Sequence, residues 1–422
     1  ENYREVIMRY IAAFFQYVRH NGLKTAIGRT LGFIKRKIKR APVVQNVVVK
    51  RPIDVMTSAE DVVAADFVAH PYKTPAKVNK AKLNIGWVLS PISVGSGGQH
   101  TIARFAKSLQ ERGHNVTFFI YESIAQQPAE YSNKLLKDHF DIDVKCVPVK
   151  DIDKSDLDVL FATGWETAYP VFNMKTEAHK MYFVQDYEPL FYGMGSKSVL
   201  AENTYRFGFY GVTAGRWLTK KVGEFSMPAD YFDFGADLDI YKPKTNEPKK
   251  KQICFYGRPV TERRAFEIGV LALAKFHQMH PDYNIVFFGW DVSDFDIPFP
   301  YENRGIVSPA QLAEIYHESQ ACLVLSLTNA SLLPLELLAA GCVPVMNDGD
   351  NNRMVIGENP DIVYTLNSPI ELAHGLDEVV RDPDIEARCQ RISKRTESSS
   401  WDASYDKFER IILREATTQN HD

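Results

Sequence analysis

One stretch, Leu323 to Val345, restricts the fold more than any other part of the chain. It reads Leu-Val-Leu-Ser-Leu-Thr-Asn-Ala-Ser-Leu-Leu-Pro-Leu-Glu-Leu-Leu-Ala-Ala-Gly-Cys-Val-Pro-Val. Cys322–Leu327 is an apolar run of buried-strand length. A polar turn, Thr328–Ser331, follows it, then a short apolar helix stopped by Gly341, then a second strand, Val343–Met346. Strand, helix and strand in so few residues form a parallel βαβ unit. Ligands of parallel sheets sit outside the carboxyl ends of the strands, against helix N-termini. Thr328, Asn329, Ser331 and Glu336 fall at that edge. Glu336 is the one carboxylate of the stretch and occupies the first helical turn.

The same alternation starts at Lys82. A strand at Leu83–Leu89, a Gly-rich loop at Ser90–Gln99, a helix at His100–Arg112 and a strand at Asn115–Tyr121 open a doubly wound sheet. Further strands are predicted at Asp143–Val149, Val159–Ala162, Lys180–Val184 and Gly208–Thr213. A Pro- and Lys-rich polar stretch, Tyr241–Lys251, has no apolar face and reads as a linker. A second series follows: strands at Gln252–Tyr256, Asn284–Gly289, Ala321–Leu327, Val343–Met346 and Ile362–Tyr364, with helices at Ala265–His280, Pro309–Glu318 and Pro369–Arg381. The tail carries Tyr405, Phe408, Ile411 and Ile412 at helical spacing. The expected fold is α/β, with two Rossmann-like domains whose parallel sheets face each other across a central cleft. Residues 82–245 form the first domain and 250–395 the second, 396–422 a last helix, and 1–81 an extension and linker. A chain of 422 residues is long enough to give each domain its own core.

Residues 1–41 differ in charge. Ten Lys and Arg residues, from Arg4 to Arg40, oppose only Glu1 and Glu5. Ile7, Tyr10, Ile11, Phe14, Phe15 and Val18 recur at helical spacing. A basic amphipathic helix fits a membrane surface or an acidic partner, or else packs on the protein's own body with a solvated basic face. Residues 42–81 read as an extended linker with one short helix at Ser58–Phe67. The whole chain has a net charge of −3, which argues against nucleic acid as a partner. Five scattered cysteines without a CxxC pair read as core thiols of a reducing compartment. Neither a membrane-spanning run nor a signal-peptide pattern is present in the sequence. A cytoplasmic protein, peripheral at the inner face of the plasma membrane, is expected.

Three further motifs carry chemistry. Gly95-Ser96-Gly97-Gly98 joins a strand to a helix, where glycines let backbone N–H groups approach an anion. Its spacing is GxGG, and no acidic residue ends the next strand, so NAD binding is disfavoured. Phe255-Tyr256-Gly257-Arg258 ends a strand, with Arg263 and Arg264 just after it. Clustered guanidinium forks suit a diphosphate. Gln185-Asp186-Tyr187-Glu188 continues another strand, and Asp186 and Glu188 are placed to bind sugar hydroxyls or move a proton. Trp165, Glu166 and Tyr169 follow a strand and suit a sugar platform, although Trp165 is equally explained as core. D-x-D pairs recur at seven places, too often to mark a metal, and no metal site is expected.

At these residues the chain resembles the retaining, sugar-nucleotide-using glycosyltransferases of GT-B fold. The resemblance covers roughly residues 82–415. It rests on Gly97-Gly98, on Gly257-Arg258 with Arg263, and on Glu336 followed by Ala340-Gly341-Cys342-Val343-Pro344-Val345. Such enzymes carry two glutamates eight residues apart; here Glu336 matches the second and Thr328 stands at the first. Their usual His appears as Gln185. The segments Gln-Asp-Tyr-Glu-Pro and Thr-Asn-Ala-Ser-Leu-Leu-Pro-Leu-Glu, with the basic extension, are similar to bacterial rhamnosyltransferases of surface-glycan assembly, in particular those building S-layer rhamnan from dTDP-β-L-rhamnose.

That resemblance implies transfer of a 6-deoxyhexosyl group from a dTDP-sugar to a hydroxyl of a growing, lipid-linked glycan, with retention and without metal or cofactor. Arg258 and Arg263 would neutralise the leaving diphosphate. Glu336 would hold the ribose, Ile306 and Val307 the base. Gly97, Gly98, Gly257, Thr328, Asn329 and Ser331 would complete the donor site, with the neutral Thr328 suited to a 6-deoxy sugar. Trp165, Glu166, Tyr169, Gln185, Asp186 and Glu188 would take the acceptor. The leaving phosphate would accept the acceptor's proton, with Asp186 as a second candidate. Competing readings are a hexosyltransferase using a UDP- or GDP-sugar, an epimerase on the same fold, and a catalytically silent scaffold of a glycan-assembly complex.

Overall fold

The computed structural model describes residues 3–25, 27–31, 53–122, 126–242, 244, 247–396 and 400–418. The chain divides after residue 53 into a small N-terminal unit and a large one. In the small unit, Tyr3–Asn21 is one helix, and residues 23–25 and 27–31 are helical as well. Met8, Ile11 and Phe15 are exposed at helical spacing on the first, and Leu23, Ile27 and Leu31 on the second. The basic residues from Lys35 to Arg40, and the stretch read as linker up to residue 52, lie outside the described residues.

The large unit holds two parallel sheets, as the alternation of apolar runs and helical patterns predicts. The first contains β1 (Asn84–Leu89), β2 (Asn115–Ile120), β3 (Lys145–Pro148), β4 (Val159–Ala162), β5 (His179–Val184), β6 (Tyr210–Ala214) and β7 (Ala229–Phe232), in the order β3-β2-β1-β4-β5-β6-β7. The second contains β8 (Gln252–Tyr256), β9 (Asn284–Phe288), β10 (Glu302–Asn303), β11 (Ala321–Val324), β12 (Val343–Asn347) and β13 (Val363–Thr365), in the order β10-β9-β8-β11-β12-β13. Chain direction along each sheet reverses at β1/β4 and at β8/β11. Those two switch points are where a doubly wound sheet opens a crevice.

Each sheet has its own apolar core. β1, β4 and β5 are buried almost throughout, since parallel strands covered on both faces read as continuous apolar runs. Two short strands escaped the sequence reading. β7 is only four residues with an acid inside, and β10 is two residues long. β11 stops at Val324, earlier than expected, because the Ser326 N–H donates to the Asn347 side chain instead of to a neighbouring strand.

Two segments outside the sheets pack on the first domain. The helix Asp402–Ala416 lies on the first sheet: Phe408 is buried among Trp87, Phe105, Phe161 and Phe183. The part of the expected linker that is described, 54–81, is no free tether. Its short helix, Ala59–Ala64, is capped by Ser58. Tyr72 accepts a hydrogen bond from the Lys180 N–H, and Val78 pairs with Thr417 beyond the last helix. Apolar Phe67 and Tyr72 among the polar residues explain the docking: both pack on the first core.

Candidate active site

Between the switch points lies a cleft of about 610 Å³. Its first wall begins with the loop after β1. The following helix starts at Gly97, three residues earlier than the sequence pattern gave, with Ser96 accepting a hydrogen bond from the Gln99 N–H. Gly97 and Gly98 are therefore the first turn of a 15-residue helix, and both line the cleft. Added to Gly97, a Cβ would meet nothing within 4 Å, while at Gly98 it would touch the Gln185 amide. Gln185, Asp186, Glu188 and Phe191, from the segment after β5, also line this wall, with Thr101 and Phe234.

The second wall follows β8 and β11. Tyr256, Arg258, Arg263 and Arg264 come from the first of these strand ends, and Ser331 and Glu336 from the second. Gly257, expected beside the donor, turns instead toward the core, where a Cβ would lie 2.9 Å from the Phe287 ring. The three arginines are placed differently. Arg258 reaches the Tyr256 hydroxyl at 3.4 Å and has no ion-pair partner among the described residues. Arg263 pairs with Asp186 through Nε at 3.1 Å. Arg264 donates to Ser326 Oγ at 2.7 Å, and burial holds its pKa below the ordinary guanidinium value, with the nearby Asp186 charge opposing that shift. A half-buried guanidinium at a cleft wall, with no carboxylate of its own among the described residues, is well placed to take an anion. Arg264, named in the sequence only as part of the cluster, is thus a candidate for an anion ligand.

Glu336 is partly buried in the cleft. Burial first, and then the Asp237 charge, push its pKa up to about 7, against the opposing pull of Arg104. Arg104 itself forms a two-pronged ion pair with Asp237, both bonds 2.7 Å. Ser331 Oγ is buried with no hydrogen-bond partner among the described residues, a donor left for something in the cleft.

Glu188 is also raised well above the usual carboxylate range, by burial and then by the charge of Glu166. Its Oε2 accepts from the Trp165 N–H at 2.6 Å and from the Tyr182 hydroxyl at 3.0 Å. Glu166 stands behind it, accepting from Ser90 Oγ at 2.7 Å.

Several expected site residues are elsewhere. Trp165 and Tyr169 are not a sugar platform; both are buried in the first core, with Trp165 Nε1 donating to the Tyr192 hydroxyl and the Tyr169 hydroxyl to the Leu200 carbonyl. Ile306 lines a second, shallower cavity with Trp290, Asp291 and Arg304, and Val307 packs against the second core. Arg258, which lines the main cleft, has its guanidinium carbon 6.0 Å from the centre of the Trp290 ring. Thr328 and Asn329 do not face a sugar. They are 1% exposed and bind the first domain: Thr328 Oγ1 and the Asn329 N–H donate to Asp186, and the Asn329 amide donates to the carbonyls of Gln185 and Ala214. No residue-level signal separates a turn that serves a ligand from one that serves a second domain, because both need exposed polar groups at a strand end. Asp186 in turn uses both its oxygens twice, on Tyr187 N–H and Asn329 N–H, and on Thr328 Oγ1 and Arg263 Nε. A carboxylate has about four lone-pair sites, and in this arrangement all four of those of Asp186 accept hydrogen bonds.

Two parallel-sheet domains joined this way, with strand ends facing across one cleft, make up the GT-B glycosyltransferase fold. Residues 126–213 match the family model described as WsaF, N-terminal domain, and residues 251–377 that described as WsaF, C-terminal domain, so both halves match one family. The O-antigen biosynthesis protein RfbC of Myxococcus xanthus is 29% identical over 348 residues, covering 78% of this chain and 27% of that protein. The chain thus spans about a quarter of the length of that curated relative. Among solved structures, a sucrose-phosphate synthase from Thermosynechococcus elongatus has a TM-score of 0.62 at 11% identity, covering 79% of this chain and 99% of that one. A glycosyltransferase from Rickettsia africae has a TM-score of 0.61 at 15% identity, covering 81% and 100%. Anabaena HepE in complex with UDP and glucose has a TM-score of 0.60 at 11% identity, covering 80% and 100%. At such identities these structures speak for the fold.

Proposed function

We propose that the protein is a retaining glycosyltransferase that moves a rhamnosyl group from dTDP-β-L-rhamnose to a hydroxyl of a growing surface glycan. The observation that carries the transferase reading is the cluster of Arg258, Arg263 and Arg264 at the β8 end, facing the first turn of the Gly97 helix. Guanidinium forks and a helix N-terminus converge on one volume large enough for a nucleotide sugar, and both favour a diphosphate. Arg258 and Arg264 neutralise the leaving group, taking the part that a metal plays in other transferases. Glu336 and Ser331 hold the nucleoside side of the donor. Gln185 and Glu188 meet the acceptor. As the bond from the anomeric carbon to the phosphate oxygen breaks, the acceptor oxygen bonds that carbon on the same face. The acceptor's proton passes to the leaving phosphate.

HepE is similar in fold and has been solved with UDP and glucose, which supports a nucleotide-sugar donor. The WsaF and O-antigen matches support a glycan acceptor. Rhamnose rests on the similarity of the Gln185–Pro189 and Thr328–Glu336 segments to rhamnosyltransferases. Incubation with dTDP-rhamnose, UDP-glucose and GDP-mannose on a rhamnose-terminated acceptor, read by mass, should give a product from dTDP-rhamnose. A product from UDP-glucose alone would overturn the donor assignment, and a protein that neither dTDP nor UDP at millimolar concentration stabilises against heat would not be a transferase of this kind.

The N-terminal unit supports a second element of this reading, attachment to an anionic membrane surface where a lipid-linked acceptor would reside. No helix of the described residues is long and apolar enough to cross a membrane. Exposed Met8, Ile11 and Phe15 next to exposed Arg19 suit an in-plane helix. The full chain should float with vesicles containing anionic lipid and not with neutral ones; flotation unchanged by Ile11→Ser with Phe15→Ser would remove this element.

A further inference from the structure

We propose that Asp186 and Phe191 are positioning residues that hold Arg263 from the opposite domain, so that the anion site is complete only when the two domains are docked. This rests on the nucleotide-diphosphate reading of the cleft. Arg263 belongs to the second domain, yet both contacts on its side chain come from the segment after β5 in the first. Its Nε donates to Asp186 Oδ2 at 3.1 Å, and its guanidinium carbon stands 4.0 Å from the centre of the Phe191 ring. A guanidinium has five N–H donors. With Nε engaged by Asp186, the terminal nitrogens remain for the cleft that Arg263 lines. Arg258 and Arg264 differ: the contacts they make, to Tyr256 and to Ser326, are within their own domain.

The backbone repeats the arrangement. The Arg263 carbonyl accepts from the Leu327 N–H at 2.9 Å, which ties it to the turn whose next two residues, Thr328 and Asn329, also donate to Asp186. One carboxylate of the first domain therefore gathers three donors of the second, and one of the three is an arginine at the anion site. Fixing a guanidinium on its Nε side and on its face leaves it little rotamer freedom to lose when an anion arrives, which is how a supporting contact becomes affinity. Separation of the domains would release Arg263 while leaving Arg258 and Arg264 in place.

The test measures binding of dTDP and UDP by titration calorimetry to the full chain and to Arg263→Ala, Phe191→Ala, Thr328→Val and Asp186→Asn, and to each of the last three combined with Arg263→Ala. Wild type should bind. Arg263→Ala should weaken binding roughly tenfold, and Phe191→Ala, Thr328→Val and Asp186→Asn several-fold each. In the Arg263→Ala background the other substitutions should weaken it no further, which a merely structural role would not produce. If Asp186→Asn does not fold, Phe191→Ala and Thr328→Val carry the test. Wild type that binds while both bind equally well, or losses that add in full to that of Arg263→Ala, would overturn the inference and leave the transferase reading intact. Wild type that binds neither nucleotide would overturn the transferase reading and this inference with it.

Discussion

Thr328 Oγ1 donates to Asp186 Oδ2 at 3.0 Å, although the two residues are 142 positions apart and belong to different domains. The bond assigns position 328 to the seam between the domains. Asn351, in the same domain, holds Thr328 in place by donating to its carbonyl, and across the seam Gly215 (φ +90) brings β6 so close to Val355 that a Cβ would lie 2.9 Å from it. At the position where the resemblance leads one to expect a glutamate, this chain uses a hydroxyl to satisfy a buried carboxylate.

Thr328→Glu should therefore act on stability before it acts on sugar choice. It would set a second carboxylate against Asp186 in a site that is 1% exposed at Thr328, and an uncompensated buried charge costs about 3–5 kcal/mol. Thr328→Val removes one hydrogen bond to a charged group at nearly constant volume and should cost about 1.5–3 kcal/mol. Denaturant unfolding measures both. A Glu variant as stable as wild type, with altered donor preference, would return Thr328 to the sugar site.

Arg264→Met should separate stability from binding. The Arg264 side chain is half-buried in the cleft wall, that burial holds its pKa down, and its guanidinium donates to the neutral Ser326 hydroxyl. An apolar side chain of similar length relieves this cost, so the free protein should melt at the wild-type temperature or above it. Affinity for a nucleoside diphosphate should fall about 10- to 100-fold, since a charge-assisted hydrogen bond to phosphate is worth about 1.5–3 kcal/mol. Thermal shift with and without dTDP reads both quantities in one experiment.

What was legible in the sequence follows from the range of the interactions. The strands Val159–Ala162 and Gln252–Tyr256 and the helix Pro309–Glu318 have the bounds the sequence predicted, because apolar runs and helical periodicity are local signals. Gly97-Gly98, the arginine cluster and Glu336 were legible as cleft residues because strand ends of a parallel sheet define the edge. Trp165 and Tyr169 were misplaced since a strand-end aromatic looks the same whether it faces a cleft or, as here, the helices behind it. Thr328, Asn329 and Asp186 were misread for a stronger reason. Asp186 lies 142 residues from Thr328 and 143 from Asn329, and one sequence holds no trace of such a pairing. The docking of 54–81 on the first domain was likewise hidden, since Tyr72 and Val78 sit in a stretch without periodicity.

Phe408→Ala tests whether the last helix is an integral part of the first core. Phe408 is 1% exposed and its ring centre lies 4.7 Å from that of Phe105. Truncating a buried aromatic costs about 3–5 kcal/mol. The loss should appear as a lower midpoint of unfolding with an unchanged denaturant slope, if the helix stays docked. A shallower slope would mean that Asp402–Ala416 has come away before the sheets unfold.

Glu336 should give the protein a pH dependence of a stated sign. Its folded pKa is raised from 4.5 to about 7 by burial and by Asp237. Between those values the unfolded chain has released the proton and the folded chain still holds it. Stability contributed by this group is therefore present at low pH, falls as pH rises from 4.5 toward 7, and levels off above. Binding runs the other way. Ribose hydroxyls donate to an ionised carboxylate, so nucleotide affinity should rise as pH passes through 7. The nucleotide's terminal phosphate also ionises, near pH 6, but that step is common to wild type and Glu336→Gln. The difference between the two proteins isolates the side chain. Glu336→Gln should flatten the stability slope and remove the rise in affinity around pH 7. Arg104→Met, which takes away the charge that holds the Glu336 pKa down, should move the rise to higher pH. Calorimetric titration of dTDP from pH 5.5 to 8.5 provides the measurement. Identical affinity profiles for wild type and Glu336→Gln would take Glu336 out of the nucleotide site.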